Sequence, residues 1–273
     1  GLPAPSWAGA GFEPLVLLRR VPGERPTRLP ADPPLELKAA APTRLRVVGP
    51  SVLRPGEPAR LRFCVEDAWG NPAGLLPQGL AVDGVVRSIR TFGEPACGEL
   101  EIPGGTGPLL GPWALEVILP EGATLTATAG PALVEAGPRL IWADLHGHSA
   151  LSDGLRGPEA WFDYAREVGL LDAAALSDHD WQLDDAELER LVAAGIAADR
   201  PDRFVALAAQ ETNIAGHEVA WFFDRERFAA LGAGTGSGSK TLWEEVDFGA
   251  GDAAKPAALE RLRAYGDPLV APH

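Results

Sequence analysis

The chain has no methionine and only two cysteines, Cys64 and Cys97, in 273 residues. Two cysteines are too few for a disulfide framework. Within "RLRFCVED", Leu61, Phe63 and Val65 alternate on one face and leave Cys64 on the other. The expectation is two free thiols, with a single bridge as the alternative. The compartment stays open, with a slight preference for the cytoplasm over export. Methionine is missing even at position 1, so the original start is expected to have been removed. Positive charge is also scarce: 24 Lys and Arg stand against 38 Asp and Glu, a net charge of −14. Binding a phosphate backbone needs a basic face, so nucleic acid is excluded as a partner. An anionic membrane surface is disfavoured for the same reason. No apolar run approaches the roughly 18 residues of a membrane span. The opening "GLPAPSWAGAGFEP" lacks the basic flank and long apolar core of an intact signal peptide. A local site could still bind an anion if metal ions or a few arginines reverse the sign there.

What is present divides into two parts, residues 1–138 and 139–273. The first is rich in Pro and Gly. Short apolar runs recur about every ten residues: "LRVV" at 45–48, "LRFCV" at 61–65, "LAVDGVV" at 80–86 and "WALEVIL" at 113–119. Turn signals such as "RPGEPA", "WGNPAG" and "PEGA" lie between them. This spacing predicts an antiparallel, sandwich-like β domain, with a proline-rich leader or an edge strand over residues 1–40. The second part alternates apolar runs with helical patterns. "RLIWADLH" reads as a buried strand, "GPEAWFDYAREVGL" as a helix with Pro158 in its first turn, and "DAAALSDHD" as a strand. "DDAELERLVAAGIAA" is a second helix, "FVALAAQET" and "HEVAWFF" are strands, "KPAALERLRAYG" a helix and "PLVAPH" a fifth strand. That order predicts a mainly parallel α/β sheet or barrel. "GTGSGSKT" at 234–241 has Ser239 where a phosphate-binding loop needs Gly before Lys240, so it reads as a flexible loop.

Histidine is absent from the first 145 residues. All five, His146, His148, His179, His217 and His273, lie at or just beyond the ends of predicted strands. Asp144, Asp153, Asp178, Asp180 and Glu211 accompany them. In parallel α/β folds the strand C-termini gather on one face, where sites are built. Each fragment alone has a plainer reading. His-x-His pairs arise by chance, "SDHD" could cap the helix that follows, and Glu211 could be a solvated strand-end charge. His217 could be an interior histidine and His273 a frayed end. Together they point to a metal site, and imidazole plus carboxylate suits Zn, Mn or Fe.

The words "DLHGHSALSDG", "ALSDHD", "AAQET", "GHEVAWFF" and "APH", in this order, resemble the PHP (polymerase and histidinol phosphatase) superfamily. More narrowly, they are similar to a bacterial branch of unknown function that carries a β-rich segment ahead of its barrel. The resemblance covers residues 140–273 and implies a distorted (β/α)7 barrel binding up to three divalent ions. It implies that His146 and His148 serve one metal, that Asp153 and His179 serve another, and that Glu211 bridges. His217 and His273 would complete the middle metal with Glu211. The superfamily's closing Asp-x-His motif is not in the chain, so a C-terminally truncated barrel is expected.

The resemblance further implies hydrolysis of a small-molecule phosphoester by a metal-bridging hydroxide. Asp180 is the candidate proton acceptor. Asp144 and Asp178 are candidate outer partners that orient imidazoles. Arg156 and Trp181 are near enough in sequence to contact substrate, though surface charge and packing explain them as well. A metal-dependent amide or lactone hydrolase is the rival enzyme, because the same hydroxide attacks carbonyl carbon. A non-catalytic, metal-stabilised binding protein is the third reading. The oligomeric state is left open.

Overall fold

The structure, a computed structural model, describes residues 9–12, 17–18, 27–28, 35–74, 79–92, 95–180, 182–212, 218–222, 256, 260 and 269–272. The chain divides into two compact units, Gly1–Arg139 and Leu140–His273. The helix expected from "KPAALERLRAYG" falls outside the described residues except at Pro256 and Glu260, and the Gly/Ser loop at 234–241 lies wholly outside them.

In the first unit two four-stranded antiparallel sheets share one core. One runs Arg90–Thr91, Cys97–Ile102, Ala59–Glu66, Arg44–Val48; the other runs Thr124–Ala129, Trp113–Ile118, Gly79–Val82, Val85–Ser88. Leu61, Phe63, Val65 and Leu100 from the first meet Leu80, Val82, Trp113, Leu115 and Val117 from the second. Trp113–Ile118 alternates buried and exposed residue by residue, as a strand with one wet face does. The run 80–86 is not one strand but a hairpin. Asp83 and Gly84 both take positive φ, 51° and 75°, which is the two-residue turn that Asp-Gly favours.

The cysteines correct the free-thiol expectation. Cys97 sits opposite Cys64 on the neighbouring strand, and the two form a buried disulfide with Cα atoms 4.1 Å apart. The pairing is set by strand register, which a single sequence does not display.

The second unit is an open five-stranded sheet in sequence order: Ala143–Asp144, Ala173–Leu176, Val205–Thr212, Glu218–Phe222, Leu269–Pro272. The first three strands are parallel, and the last two pairings are antiparallel. Two helices, α1 (Pro158–Glu167) and α2 (Asp185–Ala198), make the parallel crossovers. Pro158 occupies the first turn of α1. Asp184 caps α2, and Glu187 returns the bond to the cap backbone.

This overturns the expected (β/α)7, TIM-like barrel. Among the described residues the chain is mostly β, has two helices, and its sheet has two edges rather than a closed ring. The physical reason is a connection length. Only five residues separate Thr212 from Glu218, whereas a parallel crossover needs a dozen or more. The chain therefore turns back antiparallel. The first strand also departs from expectation. In "RLIWADLH" only Ala143 and Asp144 pair, and Leu140, Ile141 and Trp142 are 67%, 58% and 58% exposed rather than buried. Edge position, with a neighbour on one side only, leaves them uncovered.

Strand alternation sorts the sheet's two faces. Ala174, Leu176, Ala206, Ala208, Ala220 and Phe222 pack with Phe162 of α1 and Leu188, Leu191 and Val192 of α2. Ala175, Ala209 and Val219 form a separate cluster with Leu207 and Trp221. Glu211 shares the parity of Leu207 and Ala209, so the period of two places it on the face away from the helices.

Candidate metal centre

The loop after the first strand carries His146 and His148, and close packing dictates its path. A Cβ on Gly147 would stand 2.3 Å from Cζ2 of Trp161, so the α1 indole covers a position only glycine can fill. A Cβ on Gly154 would lie 2.1 Å from the carbonyl oxygen of His148. Trp221 fastens the start of the loop, its indole Nε1–H donating to the Leu145 carbonyl at 2.7 Å.

Asp178 anchors the rest. This buried carboxylate accepts from the Ser149 N–H at 2.7 Å, the Ser149 hydroxyl at 2.8 Å and the Ser152 hydroxyl at 2.5 Å. Asp144 accepts from the backbone N–H of His146 at 3.3 Å. Both carboxylates, expected to orient imidazole rings, act on the loop's backbone and serines. The second strand ends at Leu176, and three residues on, His179 forms an isolated parallel β-bridge with Glu211 of the third strand. The Asp180 N–H donates to the Glu211 carbonyl at 3.0 Å, and Asp180 is buried.

Three imidazoles converge on one carboxylate oxygen. Oε2 of Glu211 lies 2.9 Å from Nε2 of His148, 3.5 Å from Nε2 of His146 and 3.6 Å from Nδ1 of His179. The His146 and His148 Nε2 atoms are 3.3 Å apart. His148 is edge-on to both neighbours, with ring centroids 4.9 Å from His146 and 4.4 Å from His179. Asp153 closes the far side, its Oδ1 2.9 Å from Nδ1 of His148 and its Oδ2 3.5 Å from Nε2 of His179.

Two groups of side chains can thus hold a metal ion: His146, His148 and Glu211, and His148, Asp153 and His179. Their spacing fits. Ligand atoms about 2.0–2.1 Å from a tetrahedral ion stand about 3.3–3.4 Å from one another. The first group's separations of 2.9, 3.3 and 3.5 Å surround that value. Nitrogen and carboxylate donors without thiolate suit Zn, Mn or Fe.

Ser177 sets the orientation of His146. Its hydroxyl lies 3.3 Å from the Gly147 carbonyl, the acceptor for its proton, and 2.9 Å from Nδ1 of His146. With that proton on the Gly147 carbonyl, the hydroxyl oxygen is able to accept from Nδ1–H, the tautomer that leaves the Nε2 lone pair to the cluster.

Five of the seven expected ligands, His146, His148, Asp153, His179 and Glu211, come together. His217 and His273, with Trp181, lie outside the described residues. The guanidinium of Arg156 sits 5.1 Å from the ring centre of Tyr164 on α1. Sequence reasoning passed over Ser149, Ser152 and Ser177. Their spacing from the histidines was visible in "HSALS" and "LSDHD", but their partners lie about thirty residues away.

No helix among the described residues is long and apolar enough to cross a membrane. Neither protein-family models nor curated proteins match this chain.

Proposed function

We propose that the chain is a metal-dependent hydrolase whose substrate class is small phosphoesters. The observation that carries this reading is the convergence of three imidazole nitrogens, from two different strand ends, on one oxygen of the buried Glu211. The order of the motif words, shared with the PHP superfamily, supports the chemistry; that superfamily's barrel is no part of the reading.

His146, His148 and Glu211 would hold one ion, and Asp153 with His179 a second. Zn, Mn or Fe are the candidates, and His217 and His273 are the residues that would extend the set to a third ion. Bound divalent ions would supply a Lewis acid that acidifies water and neutralises phosphoryl charge. The remaining work falls to the chain. Glu211 presents a carboxylate already surrounded by nitrogen donors, so little rearrangement accompanies loading. Ser177, 2.9 Å from Nδ1 of His146, would hold that ring with Nε2 toward the ion. Asp178 holds the loop that carries both first histidines. Asp180 is the candidate proton acceptor. A chain of net charge −14 repels anions at large, so recognition of a phosphoester depends on the local positive charge of bound ions.

The test is an elemental metal count on the purified 273-residue chain, followed by turnover of p-nitrophenyl phosphate and bis-p-nitrophenyl phosphate after Mn or Zn loading. At least one ion per chain and turnover of either ester are expected. Bound metal with no turnover of either ester would overturn the phosphoesterase reading.

A further inference from the structure

His148 faces two clusters with one ring. Its Nε2 lies 2.9 Å from Glu211 and 3.3 Å from His146. Its Nδ1 lies 2.9 Å from Asp153 Oδ1 and 3.3 Å from Ser152 Oγ. A neutral imidazole has one lone pair and one N–H, so it ligates on one side only. Each side offers a carboxylate at 2.9 Å, so an ion in the first group would decide which nitrogen ligates. Around Nδ1 both neighbours are acceptors: Asp153 is a carboxylate, and the proton of Ser152 is committed to the buried Asp178 at 2.5 Å. Nε2 faces a carboxylate at the same 2.9 Å, Glu211, but there with His146 Nε2 beside it; an ion held by those three takes the Nε2 lone pair and leaves the hydrogen on Nδ1.

Asp153 then has two roles to divide. Its Oδ1 takes the Nδ1–H of His148, while its Oδ2 faces Nε2 of His179 at 3.5 Å. At 63% side-chain exposure it has room to turn. When it turns, the Nδ1–H loses its nearer acceptor, and Ser152 Oγ is already in place as the other.

We propose that Ser152, held by Asp178, is a positioning residue whose hydroxyl oxygen accepts the hydrogen bond from Nδ1–H of His148 when Asp153 swings onto a second divalent ion beside His179. The two ions consequently load in order, the His146–His148–Glu211 ion first. This rests on the metal reading above, and it assigns the one histidine that faces both groups to the first ion alone.

Zinc chloride titration against a competing chelator tests it, with Ser152→Ala, Asp153→Asn and the unaltered chain side by side. The unaltered chain should bind two zinc ions, the second at least tenfold more weakly. Ser152→Ala should bind the first within threefold of the unaltered chain, because Asp153 still holds Nδ1–H, and the second about 10–100-fold more weakly. Asp153→Asn should keep the first ion and lose the second. Nitrogen NMR of 15N-histidine-labelled unaltered chain reads the tautomer without any substitution: His148 should be protonated at Nδ1 with one zinc bound and with two. Equal weakening of both ions by Ser152→Ala, or of neither, overturns the proposal, as does an Nε2-protonated His148 at one equivalent. Binding of a single zinc overturns the proposal and leaves the first site standing, whereas no zinc at all overturns the metal reading itself.

Discussion

Oε2 of Glu211 lies 2.9 Å from Nε2 of His148, on a side chain only 3% exposed to solvent. A carboxylate buried that deeply must be balanced by a cation or a proton. Glu211→Gln keeps the shape and removes the charge. It should weaken zinc binding by more than the roughly 10–100-fold typical of an outer partner, read by chelator competition. Unchanged affinity would place the ion away from Glu211.

Ser177→Ala removes the hydroxyl that stands 2.9 Å from Nδ1 of His146. His146 should then divide between tautomers, and zinc affinity should fall about 10–100-fold. Ser177→Thr, which retains the hydroxyl, should recover most of it. A loss that threonine does not recover would mean that the effect is one of packing.

Gly147→Ala drives a methyl into the Trp161 indole, 2.3 Å from Cζ2. Overpacking of this kind costs about 1–3 kcal/mol, measurable by urea unfolding. Adding Trp161→Phe to Gly147→Ala should return part of the stability. No recovery would show that the loop backbone, rather than the ring, resists the change.

Asp67 in the β unit gives a pH dependence. Burial pushes its carboxyl up, but the Asn71 side-chain amide and the N–H groups of Ala40, Asn71 and Trp69 outweigh burial and hold it below the ordinary 3.8. A depressed folded-state value contributes stability that is present above the unfolded value and disappears as pH falls through the folded one. Melting temperature should therefore drop as pH falls below about 3.8, and Asp67→Asn should remove that part of the slope. An identical acid profile in Asp67→Asn would reject the assignment.

The Cys64–Cys97 bridge predicts a thiol count. The unfolded, unreduced chain should bind no maleimide, and the reduced chain two. Replacing both cysteines with alanine should lower stability by about 2–4 kcal/mol.

Local chemistry in the sequence was enough to locate α1 and α2, since Pro158, Asp184 and Glu187 act within one turn of the backbone they cap. It was also enough to single out the histidines and carboxylates at strand ends, because period and residue type are carried by neighbours in the chain. The Asp83–Gly84 turn was equally local and went unread, although Asp-Gly is a hairpin signal. The (β/α)7 barrel was implied by the resemblance to the PHP superfamily, and the alternation of strands and helices was compatible with it. The short link from Thr212 to Glu218, which turns the fourth strand antiparallel, was the local sign against it.

The rest depended on register and on contacts across tens of residues. Whether Cys64 meets Cys97 follows from which residue of one strand faces which residue of the next. That Asp178 holds Ser149 and Ser152, 29 and 26 positions away, follows from how the loop lies over the sheet. The amino-acid sequence determined which groups were able to bind a metal. Tertiary packing decided that five of them share a few ångströms of space, and that His148 stands between the two groups. Residue type is a property of each position, whereas side-chain convergence exists only once the strands are paired and the faces sorted.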